Sequence, residues 1–155
     1  MNNFFEEAVD AMKELYGKDV LMSLATVNED KVNIRTIDTY FKDDSFYGVT
    51  YALSNKIKEI KKNQNIALNN NLFVAHGTGK NIGHPLKKQN LELREELRKE
   101  FSVWYDKHNN ESDKNMCFLK MTLKDALVFA NNYKYKIDFE NKRATREKFI
   151  VDIVV

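Results

Sequence analysis

Three consecutive segments carry strand patterns without helical periodicity, and this run constrains the fold more than any other feature of the chain. The segments are residues 20–27, 32–41 and 46–51, and turns containing asparagine or aspartate separate them at 28–31 and 42–45. The segments are rich in β-branched and apolar residues, and the second alternates apolar and polar residues with a period of two. Turns this short join antiparallel neighbours. The run therefore predicts a three-stranded antiparallel meander.

Helical periodicity is confined to three other parts of the sequence. Residues 3–17 repeat apolar side chains at helical spacing and end at Gly17. Ser54 is a suitable N-cap for a short, lysine-rich helix over 55–62. A longer amphipathic helix is predicted from Leu93 to about residue 106.

The rest of the chain is predicted to add strands. Apolar and β-branched runs indicate five more of them, at residues 66–69, 72–77, 116–123, 127–130 and 133–139. Glycines within 77–83 indicate a loop-like tight connection between strands. The charged tail, 140–155, ends in the apolar segment 149–155, for which we expect a partner strand.

This order of elements predicts the fold class. Hairpin-connected strands with no strict strand–helix–strand alternation favour a closed antiparallel β architecture with peripheral helices over a parallel α/β sheet. A barrel also removes exposed strand edges, which a chain with one proline has few means to protect. We expect a single, mainly β domain over 1–155, with the barrel core at 20–139.

Composition excludes several classes of function. The formal net charge of +2 is too small for a dedicated nucleic-acid or anionic-membrane binder, so any anion site must be local. No run approaches the ~18 apolar residues of a membrane span, and the N-terminal segment does not resemble a signal peptide. A single cysteine allows no intramolecular disulfide. We therefore expect a cytoplasmic protein.

Metal and thiol chemistry is not expected. His76, His84 and His108 lack metal-ligand spacing, and Cys117 lies among apolar residues of a predicted strand, where thiols behave as buried hydrophobes. The glycines at 77–83 match neither a P-loop nor a dinucleotide-binding pattern. No metal site is predicted.

An anion site is the better candidate. Ser54 and Lys56 bring a hydroxyl and an ammonium to a helix N-terminus, where free N–H groups and the helix dipole favour a phosphate. Arg35 lies within an otherwise apolar and threonine-rich strand, a position that requires a partner or a ligand. A salt bridge to Asp38 or an exposed side chain is the alternative for Arg35.

The succession of these parts resembles one known family. Residues 24–27, 33–36, 46–51, 54–60 and 63–68 follow the order seen in the FMN-binding split-barrel family related to pyridoxamine 5'-phosphate oxidase. Residues 20–79 carry most of the likeness, and the later helix with Trp104 is similar to that of the short bacterial members, including the general-stress-protein branch. The resemblance implies a split β-barrel that binds FMN.

The resemblance also implies roles for individual residues. Arg35, Ser54 and Lys56 would hold the FMN phosphate. Family members are generally homodimers with FMN between the subunits, so further contacts divide into a set on the same chain and a set reaching from the partner. The first set is Ile34, Thr36, Thr50 and Tyr51, around the isoalloxazine and ribityl chain, and the second is Asn69, Asn71 and Trp104. The alternative for Trp104 is a purely structural position in the hydrophobic core.

The functional expectation is an FMN-dependent oxidoreductase acting on a small-molecule substrate or electron donor. The chain lacks the C-terminal Arg-Leu-x-Pro element and the substrate-binding arginine and histidine of pyridoxamine phosphate oxidases, so that reaction is not expected. Two alternatives remain open. One is a non-catalytic flavin-binding or storage protein, and the other is a haem-binding relative that uses His76 or His84.

Overall fold

The computed structural model describes residues 2–150 as eight strands and four α-helices. The helices are α1 (Phe5–Tyr16), α2 (Asn55–Lys62), α3 (Leu91–Glu100) and α4 (Tyr105–His108). The first four strands are β1 (Val20–Asn28), β2 (Lys31–Lys42), β3 (Ser45–Tyr51) and β4 (Asn65–Asn70). The others are β5 (Phe73–Gly83), β6 (Met116–Ala130), β7 (Tyr133–Asp138) and β8 (Arg143–Lys148).

The strands form one antiparallel sheet, of which six close into a barrel. Their order is β3-β2-β1-β4-β5-β6-β7-β8, and β3 also pairs with β6, which closes the ring. The 15-residue β6 pairs with β3 through its first half and with β7 through its second half, so β7 and β8 extend beyond the barrel. The predicted mainly β barrel with peripheral helices is confirmed.

The turns use few glycines. Within residues 2–150, six non-glycine residues have positive φ, and four of them are asparagine or aspartate. These residue types tolerate the left-handed conformation that tight hairpin turns require. Asp43 lies in a turn for which the sequence predicted this chemistry.

Large apolar side chains fill the barrel. The fully buried members include Met22, Leu24, Phe41, Phe46, Leu68 and Phe73. Helix α1 covers this core, and the ring of Tyr16 lies 4.7 Å from that of Phe73. A second cluster, with Leu97, Phe101, Tyr105 and Phe118, packs α3 and α4 against the outer face of β6.

Two predicted segment boundaries are wrong. The predicted loop at 77–83 is the second half of β5. The helix predicted to continue to about residue 106 is interrupted after Glu100, and a separate helix, α4, follows. Residues 101–105 are Phe-Ser-Val-Trp-Tyr, all weaker helix formers than the preceding leucine, arginine and glutamate residues.

The C-terminal half also differs from the prediction. The strands predicted at 116–123 and 127–130 form one strand, because the register shift opposite His76 and Gly77 accommodates Lys124 without ending β6. The charged residues of the predicted tail form β8. Most of the apolar segment 149–155 lies outside the described residues. Among residues 2–150, no helix is long and apolar enough to cross a membrane.

Candidate functional site

Helix α2 lies across one end of the barrel and brings the predicted phosphate ligands together. Ile57 and Ile60 anchor its apolar face in the core. Beside this face, Lys56 reaches Thr50 on β3, and Glu59 reaches β1 and β2. We refer to Arg35, Ser54 and Lys56 as the α2 anion site.

Ser54 lies at the N-cap position of α2, but its hydroxyl does not cap the helix. Its backbone is extended, with φ −68° and ψ 155°, and its side chain makes no capping hydrogen bond. The Oγ atom is buried and has no hydrogen-bond partner, the single such side-chain atom within residues 2–150. Leaving a buried hydroxyl unpaired costs about 1–3 kcal/mol. The hydroxyl is therefore available to a ligand at the helix N-terminus.

Lys56 is a half-buried cation with a neutral partner. Its Nζ donates to Thr50 Oγ1 over 2.9 Å. Burial and the nearby charge of Arg35 lower the pKa of Lys56 below its usual value of 10.5. An anion at this point would offset both effects and favour the charged ammonium.

Arg35 is already ion-paired, although not with the residue considered from the sequence. Its guanidinium donates to Thr26 Oγ1 over 2.6 Å and to Glu59 Oε2 over 3.2 Å. Asp38, the partner considered, instead has its pKa raised by burial and by the neighbouring charge of Asp19. The alternative of a salt bridge to Asp38 is therefore wrong.

Glu59 organises the polar cluster and was missed from the sequence. It accepts hydrogen bonds from Thr26 and from Asn33 Nδ2, the latter over 2.7 Å, besides its contact with Arg35. The bond from Thr26, followed by those from Asn33 and Arg35, lowers the pKa of Glu59. It is the one acidic residue of α2, and it lies three positions after Lys56. That exception in a lysine-rich helix could have identified it.

The arrangement fits a phosphate group. A helix N-terminus, an unpaired hydroxyl and two cations lie at one end of the barrel, against the single carboxylate of Glu59. Glu59 fixes one edge of the guanidinium, so Arg35 would act as a pre-oriented cation. Ser54 and Lys56 would donate hydrogen bonds to the phosphate, because the hydroxyl has no partner within the chain and the ammonium has only a neutral one.

Several residues predicted around the flavin ring lie on the outer face of the barrel. Ile34 and Thr36 alternate with Arg35 on β2, and both are exposed. Thr36 lies opposite Ser23, which in turn lies opposite Asn69 on β4, so Thr36 and Asn69 lie in one cross-strand row. The fold thus brings Ile34, Thr36 and Asn69 to one surface.

The residues predicted on β3 lie nearer to the α2 anion site. Thr50 accepts the hydrogen bond from Lys56. Tyr51 is exposed at the end of β3, where its carbonyl accepts a hydrogen bond from the N–H of Ser54. These two residues join the end of the strand to the beginning of α2.

The other predicted residues have local structural contacts. Asn69 Nδ2 donates to the carbonyls of Asn71 and Phe73, which braces the β4–β5 turn. Trp104 stacks on Phe101 at 4.6 Å and donates its indole N–H to Asp19 over 2.7 Å. The fold does not bring Trp104 to Arg35 within one chain, and its contacts match the structural alternative.

The histidines and the cysteine have other surroundings. Both ring nitrogens of His84 are in hydrogen-bond contact with the backbone, at Asp113 and Leu86. His76 is exposed and lies 2.8 Å from Asp125. Burial raises the pKa of the Cys117 thiol to about 11. Within residues 2–150, no group of three or more histidine, cysteine, aspartate or glutamate side chains is arranged to hold a metal ion.

The architecture is similar to several solved structures. One is a pyridoxamine 5'-phosphate oxidase-related, FMN binding protein from Nostoc punctiforme, with a TM-score of 0.55 and 13% identity, covering 97% of this chain and 98% of that one. General Stress Protein 26 from Bacillus anthracis gives a TM-score of 0.55 at 18% identity, covering 79% and 91%. A FAD-binding protein from Mesorhizobium loti gives 0.58 at 14%, covering 77% and 91%.

These similarities concern the fold. No family model matches the sequence, and no curated protein matches it. Two of these structures, the FMN binding protein and General Stress Protein 26, are of the kinds that the sequence resemblance named. The split-barrel prediction is therefore confirmed at the level of architecture.

Proposed function

We propose that this protein is an FMN-dependent oxidoreductase that holds the cofactor phosphate at the α2 anion site. The observation that carries the proposal is the buried hydroxyl of Ser54, which has no partner and lies at a helix N-terminus close to Lys56. The similarity to FMN- and FAD-binding proteins supports a flavin as the ligand. The partner reactant would be a small-molecule substrate or electron donor, in the cytoplasm.

The residues of the chain would bind and orient the cofactor. Ser54 would donate to a phosphate oxygen, and Lys56 and Arg35 would neutralise the phosphate charge. FMN itself supplies the hydride and electron transfer. Ile34 and Thr36 would provide the outer surface beside the ring.

We also propose that the protein is a homodimer with the flavin between the subunits. Leu21, Val32 and Ile34 are 57%, 70% and 69% exposed, and all three lie on the outer face of β1 and β2. An exposed apolar patch of this kind marks an interaction surface. A second copy of the chain would cover it and would bring its own Asn69, Asn71 and Trp104 toward the flavin.

Comparing FMN with riboflavin tests the phosphate contact directly. Binding is measured by quenching of flavin fluorescence, and FMN should bind much more tightly because riboflavin lacks the phosphate. Lys56→Ala should weaken FMN binding about 10- to 150-fold, since it removes a charge-assisted contact. Lys58→Ala is the matched control, because Lys58 is exposed on the same helix. Equal affinity for FMN and riboflavin would contradict the assignment.

Ser54→Ala separates binding from folding. The hydroxyl makes no hydrogen bond within the chain and is costly to bury unpaired, so its removal should raise the melting temperature and not lower it. FMN affinity should fall about 10- to 150-fold, the contribution of one hydrogen bond to a charged acceptor. A loss of stability with unchanged affinity would assign the hydroxyl a structural role instead.

Spectroscopy distinguishes the alternative functions. Oxidised flavin bands support the proposal, whereas a Soret band would support a haem protein. Rapid reduction of the bound flavin by NADH or NADPH would identify an enzyme, and its absence with every donor tried would favour a storage protein. Pyridoxamine 5'-phosphate should not be turned over, because the sequence lacks the substrate-binding elements of that enzyme.

A further inference from the structure

A large cleft in the described part of the chain lies beside α2 and contains none of the three residues of the α2 anion site. It has a volume of about 1550 Å³ and lies between α2, the second half of β5 and the beginning of α3. We call it the lysine cleft, after the six residues Lys42, Lys61, Lys62, Lys80, Lys87 and Lys120 that line it.

The cleft concentrates positive charge in a chain that is nearly neutral overall. Its six lysines face two carboxylates, Asp43 and Glu92, whereas the whole sequence has a net charge of +2. Lys42 is the one member of the six in a described salt bridge, with Glu96 at 2.5 Å. The other five have no carboxylate within salt-bridge distance among residues 2–150.

Two of these lysines are placed against each other by the sheet. Lys80 on β5 and Lys120 on β6 are direct cross-strand partners. Like charges in this position are destabilising. An anion bound between the two ammonium groups would convert the repulsion into attraction.

The surroundings of the lysines are shaped for a ligand with an apolar part. Lys120 Nζ lies 6.0 Å from the ring centroid of Tyr47, which also lines the cleft. Gly83 has φ +94°, and a Cβ there would lie 2.7 Å from Lys87 Nζ, so the glycine makes room for that side chain. Ile82 and Leu93 add apolar surface. The cleft thus combines ammonium groups with an aromatic and aliphatic wall.

We propose that the lysine cleft binds a nucleotide, with the diphosphate group between Lys80 and Lys120 and the base against Tyr47 and its apolar neighbours. A diphosphate carries enough negative charge to engage several of the unpaired lysines, and a planar base stacks on an aromatic ring. The cleft is open to solvent but bounded by three elements, and the near-neutral overall charge disfavours a nucleic acid. Nicotinamide dinucleotides belong to this class, and such a ligand would connect the cleft to the redox function proposed above.

The test measures the binding of ADP, which reports on the cleft independently of flavin binding. Calorimetric titration should show ADP binding, with adenosine much weaker because it lacks the phosphates. Lys80→Glu/Lys120→Glu should weaken ADP binding by about tenfold or more for each lost contact. Lys80→Gln/Lys120→Gln, which adds no negative charge, should weaken binding less, and circular dichroism confirms that each variant is folded.

A matched control makes the same charge change outside the cleft. Lys114→Glu/Lys124→Glu alters two exposed lysines, one of them on β6, and should leave ADP affinity unchanged. Lys56→Ala should also retain ADP binding, and the Lys80/Lys120 variants should retain FMN binding. The nucleotide proposal for the lysine cleft and the FMN proposal for the α2 anion site can therefore fail separately.

Three outcomes would overturn the inference. The first is equal affinity for ADP and adenosine. The second is loss of ADP binding in Lys56→Ala but not in the Lys80/Lys120 variants, which would place ADP in the α2 anion site. The third is tighter binding of single-stranded poly-uridine RNA than of ADP, lost in the same Lys80/Lys120 variants, which would identify a nucleic-acid surface.

Discussion

At the scale of single residues, the charge balance between Arg35 and Glu59 decides how the α2 anion site is built. The Glu59 side chain is 9% exposed and that of Arg35 is 23% exposed, so neither charge is fully hydrated. Each therefore requires the other and the hydroxyl of Thr26. Arg35→Ala is a poor test of phosphate binding, because it would leave Glu59 buried without its cation.

Glu59→Gln tests the structural side of this cluster. The amide keeps the shape of the carboxylate but loses the ion pair with Arg35, and we expect a loss of about 1.5–3 kcal/mol in the free energy of unfolding. Because the pKa of Glu59 is lowered in the folded state, this contribution is present above the unfolded pKa of 4.5 and is lost as pH falls through the folded pKa. Urea titrations should show that wild type is more stable than Glu59→Gln at neutral pH and that the difference shrinks at acidic pH. A constant difference at all pH values would contradict this account.

The lowered pKa of Lys56 predicts a pH dependence of FMN binding. A phosphate favours the ammonium form, so affinity should be highest where Lys56 is protonated and should fall as pH rises through its pKa. Lys56→Arg, which stays charged, should show a much smaller fall between about pH 7 and about pH 9.5. Fluorescence titrations of both proteins over this range check it. Parallel curves would show that another group is responsible.

At the scale of elements, the sequence predicted those features that local pattern determines. The meander of β1, β2 and β3 follows from alternation and turn residues. The residue type of Ser54 predicted its N-cap position correctly, although its hydroxyl makes no capping hydrogen bond. The length of β5 depends on its pairing with β6, which lies far away in the sequence. The ion pair of Arg35 with Glu59 spans a strand and a helix, so spacing along the chain did not indicate it.

Gly77 shows why the second half of β5 resembled a loop in the sequence. It lies at the register shift with β6, and a Cβ there would overlap the carbonyl oxygen of Thr122, which is backbone and cannot turn away. The glycine serves close approach of two strands rather than a turn. A glycine that is required by a neighbouring strand cannot be distinguished from a loop glycine by sequence alone.

Gly77→Ala should therefore destabilise the barrel. We expect a loss of about 1–3 kcal/mol, the usual cost of overpacking, measured by chemical unfolding. Gly79→Ala is the matched comparison, because its Cβ would meet the side chain of Ile60 at 3.0 Å, and a side chain can shift more readily than a strand. The loss for Gly79→Ala should be the smaller of the two. The reverse order would refute the close-approach explanation.

At the scale of the whole molecule, the two proposed ligand sites share helix α2 and differ in what completes them. The lysine cleft is lined by elements of one chain. The outer face beside the α2 anion site exposes the apolar side chains of Val32 and Ile34. An exposed apolar face beside a cofactor site is the geometry that a second subunit would complete.

Val32→Lys tests that arrangement without altering a residue proposed to bind FMN. Val32 is 70% exposed, so lysine should fit the isolated fold, but a charge buried in a dimer interface should weaken association about tenfold or more. Leu86→Lys makes a matching change at a position that is 51% exposed, lies between β5 and α3, and is not among the residues proposed for the interface, so it should leave association unchanged. Light scattering over a range of concentrations measures the change, and FMN affinity should fall together with the dimer in Val32→Lys alone. A wild-type monomer that binds FMN tightly would show that one chain forms the complete flavin site.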